Sequence, residues 1–135
     1  MASKEEIIQF MASEFPQSSV NILEVGDKGC KVIRKITNDN LRPGGTVSGP
    51  TLMAVADAAL YVAILAELGL VALAVTTNLN INFLRKPKAN KNVIGECKLI
   101  KVGKVLVIGE VSLFSEGDSE PVAHAVGTYS IPPKL

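Results

Sequence analysis

From Thr51 to Ala66 the chain reads TLMAVADAALYVAILA, and Asp57 is the only charged residue in that run. A helix that is apolar on every side must be enclosed rather than merely covered. The run therefore limits the chain to architectures that can wrap a helix. An ionised carboxylate buried without partners costs on the order of several kcal/mol, so Asp57 needs a reason. One reason is structural: a helix face that meets solvent, or a cap for a neighbouring element. The other is chemical, because desolvation and nearby dipoles tune carboxylates for acid, base or nucleophile work.

The flanking sequence supplies the wrapping. Ser3 to Phe15 predicts a short amphipathic helix: Ser3 caps it, Glu6 completes a capping box, and Ile7, Phe10, Met11 and Phe15 recur at helical spacing. Pro16 stops it. Val20–Val25 and Cys30–Thr37 are β-rich, with Asp27-Lys28-Gly29 as the turn of a hairpin. Asn38 to Gly49 is rich in asparagine, glycine and proline and reads as a loop, long enough to expect function of it. The apolar helix follows over about Pro50 to Leu68, and Gly69 ends it. Ala74–Arg85 alternates with period two: Val75, Thr77, Leu79, Ile81 and Phe83 face one way, and Thr76, Asn78, Asn80 and Asn82 the other. Val93–Val102, Lys104–Ser115 and Pro121–Ile131 read as three further strands, separated by Gly103 and by Glu116-Gly117-Asp118-Ser119. One helix set before a run of antiparallel strands is an α+β pattern. A single domain over residues 1–135 is expected, a strongly curved antiparallel sheet folded around a long central helix.

Composition excludes several function classes. Hydrophobic residues make up 47% and the formal net charge is +1, which rules out disorder. Near neutrality, with aromatics at only 4%, argues against nucleic acid as a partner. The mean hydropathy of +0.31 is high for a small soluble chain and points to surface buried between subunits. A membrane span is not expected, because Asp57, Glu67 and Gly69 break the apolar stretch. MASKEEIIQF carries acids where a signal peptide needs a basic start, so a cytoplasmic location is expected. Cys30 and Cys97 share no metal-ligand spacing and read as reduced packing thiols. No zinc motif, P-loop or dinucleotide fingerprint is present, so neither metal nor cofactor is expected.

The residues before Asp57 carry chemistry of their own. Ser48-Gly49-Pro50-Thr51 has the composition of a helix N-terminus. Proline suits the first helical position, and glycine before it lets a ligand approach the backbone. The amides at such an end are free and the dipole favours negative charge, the physics of an oxyanion hole for an acyl carbonyl.

The stretches GGTVSGPTLMAVADAA, AVTTNLNINFLRKPK, GKVLVIGEVSLFSEG and PVAHAVGTYSI resemble the PaaI-type acyl-CoA thioesterases of the hotdog-fold superfamily, over about Leu41 to Ile131. The family signature pairs a His-Gly-Gly stretch with an aspartate nine residues after the histidine, a spacing that Ser48 and Asp57 keep. A strand of the form AVTxxLNxNFLRP follows and is matched closely. The resemblance implies a hotdog domain that hydrolyses acyl-CoA thioesters. It implies Asp57 as general base or nucleophile and Gly49 as the residue whose N–H polarises the carbonyl. Thr76 falls where some members carry a serine that orients water. Ser48 replaces the family histidine, Pro50 its second glycine, and Arg42 an asparagine that contacts substrate or water.

Asp57 lies two turns beyond Gly49 on one helix, so both cannot face the same carbonyl within a chain. The family's answer is a dimer in which Asp57 of one subunit faces Gly49 of the other, and such dimers often pair into tetramers. Among basic residues near the expected CoA phosphates (Arg85, Lys86, Lys88, Lys101 and Lys104), Arg85 and Lys104 are the chosen contacts. Asn78 is expected to support Thr76; Asn80 and Asn82 to face solvent or an interface. His124, the sole histidine, lies in a strand with no matching motif and is read as structural, as is Tyr61. Two other functions stay open: a non-catalytic acyl-CoA or small-ligand binding module, and a hotdog dehydratase or hydratase.

Overall fold

The computed structural model describes residues 1–133. The last two residues of the expected domain lie outside the described residues. Helix α1 spans Lys4–Glu14. Its capping box forms as expected: Ser3 Oγ accepts the Glu6 N–H at 3.2 Å, and Glu6 Oε1 accepts the Ser3 N–H at 2.9 Å. Strands β1 (Asn21–Gly26) and β2 (Gly29–Arg34) make the expected hairpin. The segment read as a loop from Asn38 is more ordered than that. It holds a 3₁₀ turn at Asn38–Asn40 and a small hairpin of β3 (Leu41–Arg42) and β4 (Thr46–Val47). Gly44 and Gly45, both at positive φ, make the hairpin's turn.

Helix α2 runs Gly49–Leu68, one residue earlier than Pro50 predicts. Strands β5 (Val75–Phe83), β6 (Val93–Val102), β7 (Leu106–Ser115) and β8 (Ala123–Ser130) follow. The main sheet is antiparallel throughout, in the order β1-β2-β6-β7-β8-β5. Helix α2 touches every one of its strands. Thr51, Leu52, Val55, Ala56 and the run Ala58–Leu65 are all buried. By length and apolarity α2 alone, among the described residues, meets the demands of a membrane span, but 67% of its most apolar window is covered by protein.

Close packing of α2 on the sheet rests on small residues opposite a large one. Gly109 and Gly127 pair across β7 and β8. A Cβ on either would lie 2.7 Å or 2.4 Å from the Leu60 methyls. Leu60 therefore occupies space that only glycine leaves open. On the other half of the sheet Cys30 and Cys97, remote in sequence, are cross-strand partners of β2 and β6. Both are buried and free, and Cys30 Sγ donates to Ala59 O at 3.1 Å. Hydrogen bonding with Cys97, and then burial, pushes the Cys30 thiol well up.

Strand β5 departs from strict alternation, and the departure shapes the site. Thr76 pairs with Tyr129, but the next pair is Asn78 with Thr128, so Thr77 is an extra residue in a bulge. The bulge turns Thr76 to the inner face with Leu79, Ile81 and Phe83. The period-two reading had set Thr76 with the asparagines. Asn78, Asn80 and Asn82 stay on the outer face, opposite α2.

Candidate active site

Asp57 is half-buried two turns into α2, on the side that faces the start of β5. The Thr76 hydroxyl donates to its Oδ1 at 2.6 Å, and the Tyr129 phenol donates to the same oxygen at 2.8 Å. The phenol also lies 3.1 Å from the Asp57 backbone carbonyl. No donor among the described residues meets Oδ2. The carboxylate is thus held by one oxygen and open at the other. Burial, and then the charge of Asp57, pushes the Tyr129 phenol far up, so it stays protonated and remains a donor.

A cavity of about 410 Å³ opens beside the carboxylate. Phe10, Glu14 and Phe15 wall it from the α1 side, Tyr61 and Tyr129 from the core, and Ala72 to Thr76 from the start of β5. Tyr61 stacks on Tyr129 at 6.2 Å between centroids, and Phe15 meets Tyr61 edge-on at 5.9 Å. Four of the chain's six aromatic residues gather here. The Tyr61 phenol donates to Ala72 O at 3.0 Å and does not compete for Asp57. Burial, and then the charge of Glu14, raises its pKa.

The start of α2 forms a second centre. Gly49 is its first residue, and no acceptor among the described residues meets the Gly49 N–H. Pro50 comes second and is exposed. Ser48 is the N-cap: its Oγ accepts the Thr51 N–H at 3.3 Å and lies 2.8 Å from Thr51 Oγ1. That hydroxyl is occupied in holding the helix end. Gly49 sits against the Phe83 ring, where an added Cβ would lie 3.3 Å from Cζ. At 1.5 Å per residue, Gly49 and Asp57 are about 12 Å apart along the axis. Within one chain they form two half-sites at opposite ends of β5.

The remaining sequence-derived candidates are dispersed. Asn78 lies on the outer face, so it does not reach Thr76 on the inner one; the bulge at Thr77 is the cause. Arg42 is exposed on β3, in the hairpin that leads into α2. Arg85, just past the end of β5, is engaged by Glu120 at 3.0 Å and by Pro121 O at 2.7 Å. Lys104 borders an apolar cavity of about 780 Å³ between the end of α2 and the β6–β7 turn. The strand register sets Arg85 and Lys104 at opposite ends of the sheet, so one chain does not bring them to one ligand. His124 lies on the outer face with Glu110 at 3.0 Å, across the sheet from Asp57.

Tyr129 is the functional residue that the sequence reading passed over. Its signal was present: Ala123, Ala125, Gly127 and Tyr129 alternate in β8, and the only large polar-tipped member of that small-residue face is Tyr129. What could not be read was that β8 would neighbour β5, with two strands between them in sequence.

An antiparallel sheet wrapped around one long helix defines the hotdog class of fold. The chain belongs to the thioesterase superfamily, whose family model matches residues 44–122. That span contains Gly49, Asp57 and Thr76 and stops short of Tyr129. A thioesterase candidate from Silicibacter sp. TM1040 is 40% identical, with a TM-score of 0.89 over 97% of this chain and 92% of that one. The PaaI protein of the E. coli phenylacetic acid degradation operon shares the fold at 18% identity, with a TM-score of 0.77 and 94% of each chain covered. So does a Streptococcus mutans UA159 protein solved with acetyl-CoA bound, at 16% identity and a TM-score of 0.75, with coverage of 85% and 90%. No curated protein matches the chain.

Proposed function

We propose that the protein hydrolyses an acyl-CoA thioester to the free acid and CoA, with Asp57 as general base or nucleophile. The observation that carries this reading is the anchored carboxylate: Oδ1 held at 2.6 Å and 2.8 Å, and Oδ2 met by no donor among the described residues, beside an aromatic-walled cavity. Membership of the thioesterase superfamily and the acetyl-CoA held by the S. mutans protein support the substrate class.

The carbonyl is polarised by the Gly49 N–H of a second subunit. Gly49 lies at the Phe83 end of β5, and Asp57 at the Thr76 end. Two β5 strands paired antiparallel about a two-fold axis would set the Phe83 end of one beside the Thr76 end of the other. Gly49 of one subunit then approaches Asp57 of its partner. The thioester carbonyl oxygen accepts the Gly49 N–H, as the developing oxyanion requires. Asp57 either takes a proton from the water that attacks the carbonyl carbon, or attacks that carbon itself to form a mixed anhydride that water then opens; in both routes the CoA thiolate leaves and the free acid is released. The exposed Arg42, in the hairpin that leads into α2, is offered to the substrate.

Mixed dimers test the arrangement. Asp57→Asn removes the carboxylate's chemistry. Gly49→Pro removes one N–H at a first helical position, with Ser48 at ψ 151° already in the backbone that proline demands before it; because its ring also presses on Phe83 and precedes Pro50, a thermal melt verifies that the variant folds. Each variant alone should be inactive in thiol release from a panel of aryl-acetyl, short and medium acyl-CoAs. Remixed after mild dissociation, they should recover about a quarter of parental turnover, because half the dimers are mixed and each holds one intact site. No recovery would refute the two-chain site, and turnover by Asp57→Asn would refute the role of Asp57. Single turnover in oxygen-18 water identifies the nucleophilic route: label appears in Asp57 when water opens an acyl-aspartyl anhydride at the aspartyl carbonyl, and direct water attack leaves Asp57 unlabelled.

The binding-module reading has one observation in its favour. Ser48 stands in place of a histidine, and its hydroxyl is spent on the helix cap. Acyl-CoA binding without thiol release in the parent protein would establish that reading instead.

A further inference from the structure

Two hydroxyl donors converge on one oxygen of Asp57, and among the described residues none meets the other. The arrangement is built by the sheet. Thr76 and Tyr129 are register partners on β5 and β8, so their side chains stand together on the inner face, opposite the same turn of α2. Only the bulge at Thr77 puts Thr76 there.

We propose that Tyr129 is a positioning residue for Asp57: with Thr76 it pins Oδ1 and the carboxylate plane, which leaves Oδ2 as the oxygen that meets the reacting centre. This rests on the reading of Asp57 given above. The phenol has a purely structural alternative, since the Asp57 backbone carbonyl at 3.1 Å would satisfy its proton. The shorter bond, at 2.8 Å, goes to the carboxylate. The ring is 3% exposed and stacked on Tyr61, so the phenol cannot swing away. Thr76, by contrast, stands on an exposed strand and holds Asp57 from the solvent side. One rigid donor and one accessible donor on the same oxygen fix the carboxylate's rotation more tightly than either would alone. They also leave no donor to compete for Oδ2 with water or substrate.

The test compares Tyr129→Phe, Thr76→Val and Asp57→Asn with the parent in acyl-CoA thiol release. It reads kcat, KM and the pH profile of kcat/KM, with a thermal melt to verify folding. Tyr129→Phe should lower kcat by about tenfold to a hundredfold, the scale of a loosened reacting group, while KM stays within about twofold. The acidic limb of its profile should move to higher pH, because a donor to the charged form is gone. Thr76→Val should show the same signature from the exposed side. Monofluorotyrosine placed at position 129 keeps the ring and sharpens the donor, so its acidic limb should move to lower pH. That variant also covers the case in which Tyr129→Phe fails to fold. A folded Tyr129→Phe protein with parental kcat and an unmoved limb, beside an inactive Asp57→Asn, would overturn the proposal. An unmoved limb with fluorotyrosine would do the same. Parental turnover in Asp57→Asn would instead overturn the reading on which it rests.

Discussion

A carboxylate on an apolar helix is tolerable only if something compensates for its desolvation. Here the compensation is local: two hydroxyl bonds to Oδ1 and half-exposure toward a cavity. The same burial leaves a thermodynamic mark on its neighbour. Tyr129 has an ordinary pKa of 10.0 as a free phenol, and burial together with the charge of Asp57 raises it far beyond that in the folded chain. The folded state then keeps a proton that the unfolded chain releases. This contribution to stability is complete below about pH 10 and is lost as pH rises beyond it, at about 1.4 kcal/mol per pH unit. Cys30, raised well above its ordinary 9.0, acts with the same sign from a slightly lower pH. Denaturant midpoints measured from pH 8 upward should fall beyond about pH 10 in the parent and fall less steeply in Tyr129→Phe. At this scale the sequence was legible where a residue broke the pattern of its neighbours. Asp57 in an apolar run and Gly49 before a proline were readable. Tyr129 was not, because its importance depends on which helix turn a distant strand faces.

Between residue and molecule, the element that matters most is the bulge in β5. Strict alternation and the bulged register make opposite predictions for two adjacent threonines. If the strand were regular, Thr77 would face Asp57; with Thr77 as the extra residue, Thr76 does. Thr76→Val should therefore lower kcat, and Thr77→Val should leave it within about twofold, since Thr77 Oγ1 only donates to Thr128 O at 3.2 Å. The reverse order would show that the strand is unbulged. A bulge is hard to see in VTTNLNINF because it needs no glycine and leaves the downstream alternation intact. The seat of α2 gives a second prediction. Gly127→Ala forces a methyl to 2.4 Å from a Leu60 carbon that is itself fully buried, and should destabilise by about 1–3 kcal/mol in denaturant unfolding. In a Leu60→Ala background most of that cost should go, the contact with Leu79 at 3.2 Å remaining, and a double-mutant cycle measures the difference. Strand and helix positions were legible from period and turn chemistry. The Leu60 seat was not, because it pairs three segments that meet only when the sheet closes on the helix.

For the whole molecule, the surface that matters most is the open edge of β5. Nine residues long, it carries neither charge nor proline, the devices that natural edge strands use to avoid pairing. Val75 and Phe83 at its ends are 56% and 52% exposed. Beside it lies the uncovered start of α2, where Pro50, Met53 and Ala54 are exposed. The Leu84 N–H donates to Val122 on the β8 side. By alternation Asn82, Asn80 and Asn78 turn their backbone groups the same way, and Leu79, Ile81 and Phe83 turn theirs to the open edge. Ile81→Pro would thus delete a donor from the free edge and leave the bonds to β8 in place, a position where an edge strand accepts proline. On the two-chain reading, the parent sediments as at least a dimer, and Ile81→Pro sediments as a folded monomer at the same concentration. Its turnover should fall to the level of Asp57→Asn although Asp57, Thr76 and Tyr129 are untouched, because the Gly49 N–H opposite the carboxylate has left with the partner. A folded monomer with parental kcat would mean that one chain holds a complete site, and that the exposed edge serves some other purpose than catalysis.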